Sequence, residues 1–426
     1  MERLREIEAT IESAIEPDWI RHGTPAFRRT NLALFAAGFA TFGLLYCVQP
    51  LMPEFTRDYH VNAATSALSL SLTTGVLAVM MLFAGAVSDA VGRKSVMVVS
   101  LLVSAVLVLI SAWMPSWTAL LLVRTLLGVT LSGLPAVAMT YLSEEMHPES
   151  IGLGMGLYIS GSAVGGMGGR LITGVLSDFF GWHIGVSVVG VIGLVCGLIF
   201  WRALPATRHF VPQPLRARAL LDSFARMFRD PGLPWLFLEG FLLLGAFVTV
   251  YNYLGYRLLA PPFNLSQAVV GLIFGIYLIG TFSSAWMGSL AGRLGRRKVL
   301  WTAFALMLSG IGLTLLSSLW LIMLGIVAIT FGFFGGHSIV SSWVGRRAGN
   351  AKAQASSMYL FSYYMGSSIA GASGGLFYAA GGWPSVAAFV GALVLAGLLI
   401  AWKLYGLPPL VNVATPPTPM TKGAMP

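Results

Sequence analysis

Apolar residues along this chain come neither in strict alternation nor in narrow helical stripes. They come in continuous runs, each ended by a short polar or glycine-rich cluster. Twelve runs stand out, at about residues 31–53, 66–87, 95–113, 117–140, 151–175, 184–204, 233–255, 266–290, 299–317, 319–341, 353–376 and 385–405. A helix needs about 20 apolar residues to cross the roughly 30 Å hydrocarbon layer of a bilayer, and each run is near that length. Hydrocarbon offers the backbone no hydrogen-bond partner, so the runs must be helices. The pattern predicts an all-α membrane protein with twelve transmembrane helices.

The longest interruption, residues 205–232, contains Pro205, Pro212, Pro214 and Pro231 and reads as a linker with one short amphipathic surface helix. It divides six runs from six, and the halves repeat each other. GAVSDAVGRK (85–94) returns as GSLAGRLGRRK (288–298), which places Gly85, Gly92 and Arg93 on Gly288, Gly295 and Arg296 at an offset of 203. GVLSDFFGW (174–182) returns as GLFYAAGGW (375–383) at an offset of 201, placing Gly174, Gly181 and Trp182 on Gly375, Gly382 and Trp383. The expected organisation is therefore two pseudo-symmetric six-helix bundles, 31–204 and 233–405, joined by the 205–232 linker. A tail over 1–30 precedes them and one over 406–426 follows. The first tail carries Leu4, Ile7, Ile11 and Ile15 at helical spacing among acids and reads as a solvated helix; the last is proline-rich and reads as disordered.

Composition agrees with the pattern: 56% of residues are hydrophobic, only 10% are charged, and mean hydropathy is +0.80. The net charge of +10 suggests nucleic acid until its placement is considered. With the N-terminus inside, 22 of the 26 Lys and Arg fall on the cytoplasmic side; only Arg57 and Arg257 fall opposite, and Arg124 and Arg170 lie within apolar runs. That is the positive-inside signature, so both termini are expected in the cytoplasm and no nucleic-acid partner is expected. Cys47 and Cys196 fall in apolar runs and suggest no disulfide framework. No metal-ligand spacing, phosphate-binding loop or nucleophile elbow occurs, which argues against an enzyme, a metal, a cofactor or an ATP-driven pump.

The stretch GAVSDAVGRK, through Gly85, Asp89, Gly92, Arg93 and Lys94, resembles the loop 2–3 signature of the major facilitator superfamily. Pro50-Leu51-Met52-Pro53, Arg124 with Gly128, and the glycines of GSAVGGMGGR (161–170) resemble motifs of its drug:proton antiporter branch, the last without the usual proline. The resemblance implies a monomeric, alternating-access secondary transporter of a bacterial inner membrane, with a small-molecule substrate, protons and the lipid bilayer as its partners. Parallel repeats around a central site fit that architecture. Efflux of small amphipathic compounds driven by protons is the expectation; import or facilitated passage of a sugar or organic anion, and a ligand sensor that carries nothing, fit the same residues.

The resemblance also implies a cytoplasmic gate at loop 2–3, where Asp89 meets the start of helix 11. Taken with the two-fold repeat, it leads to two acid-to-base latches between the halves: Asp89 facing Arg346 and Arg347, and Glu144 and Glu145 facing Arg293 and Arg296.

Ionisable groups inside spans are costly and raise a functional hypothesis by default. Glu239 and His337 are candidates for proton coupling. Arg124 is a third by resemblance, and its other reading is a brace on helix-end carbonyls. Arg170 is a cavity candidate within reach of Asp178, Glu54 or water. By analogy with the superfamily the cavity draws on helices 1, 4, 7 and 10, which adds Tyr46, Gln49, Asn252, Tyr277, Tyr359 and Tyr363. Tyr251 and Tyr253, near a predicted helix end, read as part of an interfacial aromatic belt.

Overall fold

The computed structural model describes residues 19–210, 222 and 224–407, apart from the side chains at 350 and 353. The expected helix of the first tail, most of the linker and nearly all of the proline-rich last tail lie outside these residues. Among the described residues nine helical segments are long and apolar enough to span a bilayer: α1 (Pro25–Asp58), α2 (Ala63–Val91), α3 (Arg93–Ser111), α4 (Trp117–Glu145), α6 (Trp182–Ala203), α7 (Leu233–Leu259), α8 (Gln267–Leu294), α10 (Leu319–Arg347) and a last one within Lys352–Tyr405. Pro148–Phe180 is α5 and Arg296–Thr314 is α9. The last segment breaks at Gly381 and Gly382 into α11 (352–380) and α12 (383–405), which gives twelve.

Local chemistry sets the ends. Thr24, Asn62, Ser116 and Ser266 cap α1, α2, α4 and α8 with side-chain oxygens that accept a first-turn N–H. The repeated glycines make the one-residue turns: Gly92 and Gly295 have φ of +105° and +96°, a region costly for any residue with a Cβ. On the outer helices, exposed apolar residues such as Val99, Val103, Val106 and Ile110 form stripes that suit lipid.

α1 and α7 hold equivalent places and are the most enclosed spans. α5 packs along α1 through Gly161, Gly165 and Gly169, where a Cβ would collide with the backbone of Phe35, Phe39 and Gly43. The halves meet near the face opposite the chain's described ends. There Gly174 of α5 abuts Gly271 of α8, and Gly375 of α11 abuts Ala64 of α2. Gly174 and Gly375 are the matched pair of the repeat, so the two contacts are images of each other. Hydrogen bonds join the halves in the same part of the molecule, from Gln49 to Asn252, Tyr256 to Met52, Gln267 to Pro50 and Ser368 to Ser71, whereas toward the face bearing both ends Arg93, Glu145, Arg296 and Arg347 bond within their own half or to the linker. The structure is closed on one face and parted on the other.

Candidate functional site

The site is organised by a break in α1. Helical hydrogen bonding lapses at Cys47 and Val48, a 3₁₀ turn follows at Gln49–Leu51, and Pro50 supplies no N–H. The freed carbonyls need donors inside the membrane. Arg124 donates through Nε to Ser69 O at 2.8 Å, through Nη2 to Leu45 O at 2.8 Å and through Nη1 to Leu44 O at 3.4 Å, and Thr173 donates to Cys47 O at 2.7 Å. Arg124 is wholly buried and spent on backbone. Its place is the brace rather than the cavity, because the break in α1 presents carbonyls where it reaches.

One turn on, the halves touch through side chains. Arg170 donates through Nε to Gln49 Oε1 at 2.6 Å, and Gln49 Nε2 donates to Asn252 Oδ1 at 2.8 Å. Gln49 and Asn252 stand 203 residues apart, the offset of the repeated loops, so two equivalent positions bond across the pseudo-two-fold axis. Arg170 lies over the rings of Tyr46 at 4.0 Å and Tyr277 at 4.7 Å. Five cavity candidates, Tyr46, Gln49, Arg170, Asn252 and Tyr277, are thus one cluster. The expected partners of Arg170, Asp178 and Glu54, are not used: Glu54 pairs with Arg57, and Gln49 lies nearer. Tyr256 donates to Met52 O at 2.9 Å and shares a hydrogen bond with Thr56, and Gln267 donates to Pro50 O at 2.6 Å, further sealing this end.

Tyr251 and Tyr253 are buried within the bundle and form no belt. α7 runs on to Leu259, so both sit deeper than the apolar run suggested. Tyr251 bonds Thr330 at 2.8 Å and packs on Phe274 and Tyr277; Tyr253 donates to Gly371 O at 2.9 Å.

A second cluster lies in the C-terminal half toward the parted face. The His337 Nδ1 and Tyr359 OH are 2.8 Å apart, and the His337 ring is 4.7 Å from that of Tyr363. The Tyr359 ring packs on α7 at Gly240, next to Glu239. Glu239 is fully buried, and neither carboxyl oxygen has a hydrogen-bond partner among the described residues. It does not reach for the interface.

The gate residues lie on the parted face, and the bonds they make run within their own half or to the linker. Arg93 holds Asp89 and, in a fork at 2.8 and 3.0 Å, Glu144. Lys94 donates to Leu204 O. Glu145 is buried and accepts the backbone N–H of Arg208 and His209 at 2.8 and 3.0 Å, which fastens the start of the linker. Arg296 donates to Ser342 at 3.1 Å, while Arg293 and Arg346 lie exposed. Arg347 pairs with Asp230, beside the first turn of α7. Partial burial pushes the Asp230 carboxyl up, but the Arg347 guanidinium and the amides of Leu233 and Gly232 outweigh it and hold it below the usual carboxylate range. Among the described residues the expected pairs between the halves are therefore not formed: Asp89 and Glu144 are held by Arg93, and Arg347 by Asp230.

Comparison with known proteins decides what this architecture is. The sequence profile of the Major Facilitator Superfamily matches residues 34–263 and again residues 242–424, once for each half. The chain belongs to the Major Facilitator Superfamily. Among its relatives in the superfamily, it is 50% identical to the inner membrane transport protein YnfM of Escherichia coli (strain K12) over 92% of this chain and 95% of that one. It is 48% identical to YybF of Bacillus subtilis (strain 168), an uncharacterized transporter of the superfamily, over 91% and 96% of the two chains. The nucleoside transporter NupG superposes with a TM-score of 0.73 at 17% identity, over 88% of this chain and 99% of that one. A bacterial homologue of the lysosomal transporter Spinster, inward-facing and unoccupied, does so with a TM-score of 0.70 at 16% identity, over 90% and 97%. This is a multi-pass membrane transporter and not an enzyme. Within that frame, reasoning on sequence missed Thr330, Gln267 and Asp230. Only the 203-residue offset was available to join Gln49 to Asn252.

Proposed function

We propose that this transporter exports small amphipathic organic compounds by exchange with protons, and that the state described here opens to the cytoplasm. The orientation rests on charge: the parted face carries the basic loops, and basic loops stay inside. The observation that carries the coupling is Glu239. An ionised carboxyl there would be buried without a partner, which is strongly unfavourable. Its charge and its surroundings must therefore change together, as coupling of proton to conformation requires. The His337–Tyr359 pair beside it offers a polar route toward the parted face. Aromatic walls with few polar groups suit an amphipathic organic molecule. In the opposite state the parted face closes, and Asp89 and Glu144 exchange Arg93 for the basic groups of the other half, Arg346 and Arg293 among them. Ion pairs at such a surface are weak enough to release, about 0 to 1 kcal/mol each.

A compound screen on deletion and overexpression strains supplies the substrate, and everted vesicles test the coupling. Adding the compound should release protons from energised vesicles, and Glu239→Gln should abolish that release while the protein still reaches the membrane. Accumulation that survives collapse of the proton gradient, or a Glu239→Gln protein that exchanges as the parent does, contradicts the proposal.

A further inference from the structure

We infer that Arg170 receives an anionic headgroup, so that the compounds carried are amphipathic organic carboxylates; this rests on the transport reading above. Arg93 is matched by two carboxylates and Arg124 by three carbonyls. Arg170, only 2% exposed, pairs with no acid among the described residues. Nε bonds the neutral Gln49 and Nη1 bonds Gly166 O at 2.5 Å, and neither partner carries a charge. A guanidinium taken out of water without a counter-charge is an expensive arrangement, and the faces of Tyr46, Tyr277 and Phe274 offset it only in part.

Two further donors at the same place lack partners: Asn252 Nδ2 and the Tyr277 hydroxyl. Both are buried. Two idle donors beside one uncompensated charge make a receptor for a group with two acceptor oxygens and a negative charge, which is a carboxylate. The rings of Phe247, Phe333 and Phe334 next to Tyr277 supply apolar surface for the rest of such a molecule.

The geometry also links the headgroup to the closed face. A carboxylate on Nε displaces Gln49 Oε1, and Gln49 holds Asn252 of the other half through its amide. Arrival of the anion thus loosens a bond between the halves on the closed side. Outward movement of an anion is in addition favoured by an inside-negative membrane potential.

The test is binding to the full chain in nanodiscs with no gradient present. Benzoate, 2-naphthoate and octanoate are each titrated against their neutral amides. At least one carboxylate should bind about tenfold or more tighter than its amide, the worth of one charge-assisted hydrogen bond. Arg170→Gln should erase that preference and Arg170→Lys should keep part of it. Gln49→Glu places a carboxylate beside the guanidinium from within, so it should block the probes while leaving the melting temperature at or above that of the parent. No preference in the parent, preference retained by Arg170→Gln, or probes bound as before by Gln49→Glu each overturns the inference. An Arg170-dependent preference in a protein that proves not to exchange protons sinks the coupling proposal alone.

Discussion

Two arginines lie inside the membrane-spanning part of the N-terminal half, and their surroundings differ in kind. Arg124 is consumed by the carbonyls of Leu44, Leu45 and Ser69. Arg170 lies against aromatic faces and two uncharged acceptors, with no acid paired to it among the described residues. Replacing Arg124 by alanine should lower stability by about 2 kcal/mol or more, since buried acceptors are left unsatisfied. Arg124→Lys should rescue little of it, because a single ammonium cannot span carbonyls on two helices as the planar fork does. Thermal unfolding in detergent reads both variants. The sequence marked both arginines as costly and could not tell them apart. What separates them is the break in α1 at Cys47 and Val48, whose carbonyl directions no one-dimensional pattern shows. Glu239 was legible as an acid within a span, but its distance from the interface was not, because snorkelling depends on what surrounds it. The misplacement of Tyr251 and Tyr253 has a plainer cause: the apolar run ended near 255, whereas α7 continues to Leu259 through Tyr256 and Arg257, which sit against α1 and the α9 end.

Among the helices, the repeated glycines do two jobs that the repeat alone did not distinguish. Gly92 and Gly295 turn the chain, and Gly174 and Gly375 let helices of opposite halves touch. Gly174→Val or Gly375→Val should therefore hold the closed face ajar and abolish exchange. Gly391→Val, at a glycine of α12 facing open space, should leave exchange intact. Transport by each variant, with thiol labelling of a cysteine at Asp178, distinguishes the two classes: labelling should rise only in the first. The boundaries read from apolar runs were short by several residues for α1, α5 and α10. Those helices extend beyond the hydrocarbon with charged turns, such as Arg28 and Arg29 or Arg346 and Arg347, that a hydropathy pattern does not count.

For the molecule as a whole, twelve spans and their division into six and six were written in the pattern, because lipid leaves the backbone so few choices. Which face is closed was not. A transporter's sequence must support two arrangements separated by little free energy, and acid and base residues at a gate look the same in either. Asp89, Glu144 and Arg347 show the consequence: the repeat assigns each a partner from the other half, while the structure pairs Asp89 and Glu144 with Arg93 and pairs Arg347 with Asp230 of the linker.

The claim that joins these levels is that the protonation of Glu239 selects the state. It is tested by double electron–electron resonance on the protein with Cys47 and Cys196 replaced by alanine. One pair of spin labels sits at Ala90 and Lys352 on the basic face, and another at Asp178 and Val269 on the closed face. Between about pH 5 and about pH 8, a range in which a functional carboxyl can be tuned to titrate, the two distance distributions should shift in opposite senses, one face closing as the other opens. Glu239→Gln should hold both fixed across that range. Distances that ignore pH in the parent, or that shift equally in Glu239→Gln, would contradict the account.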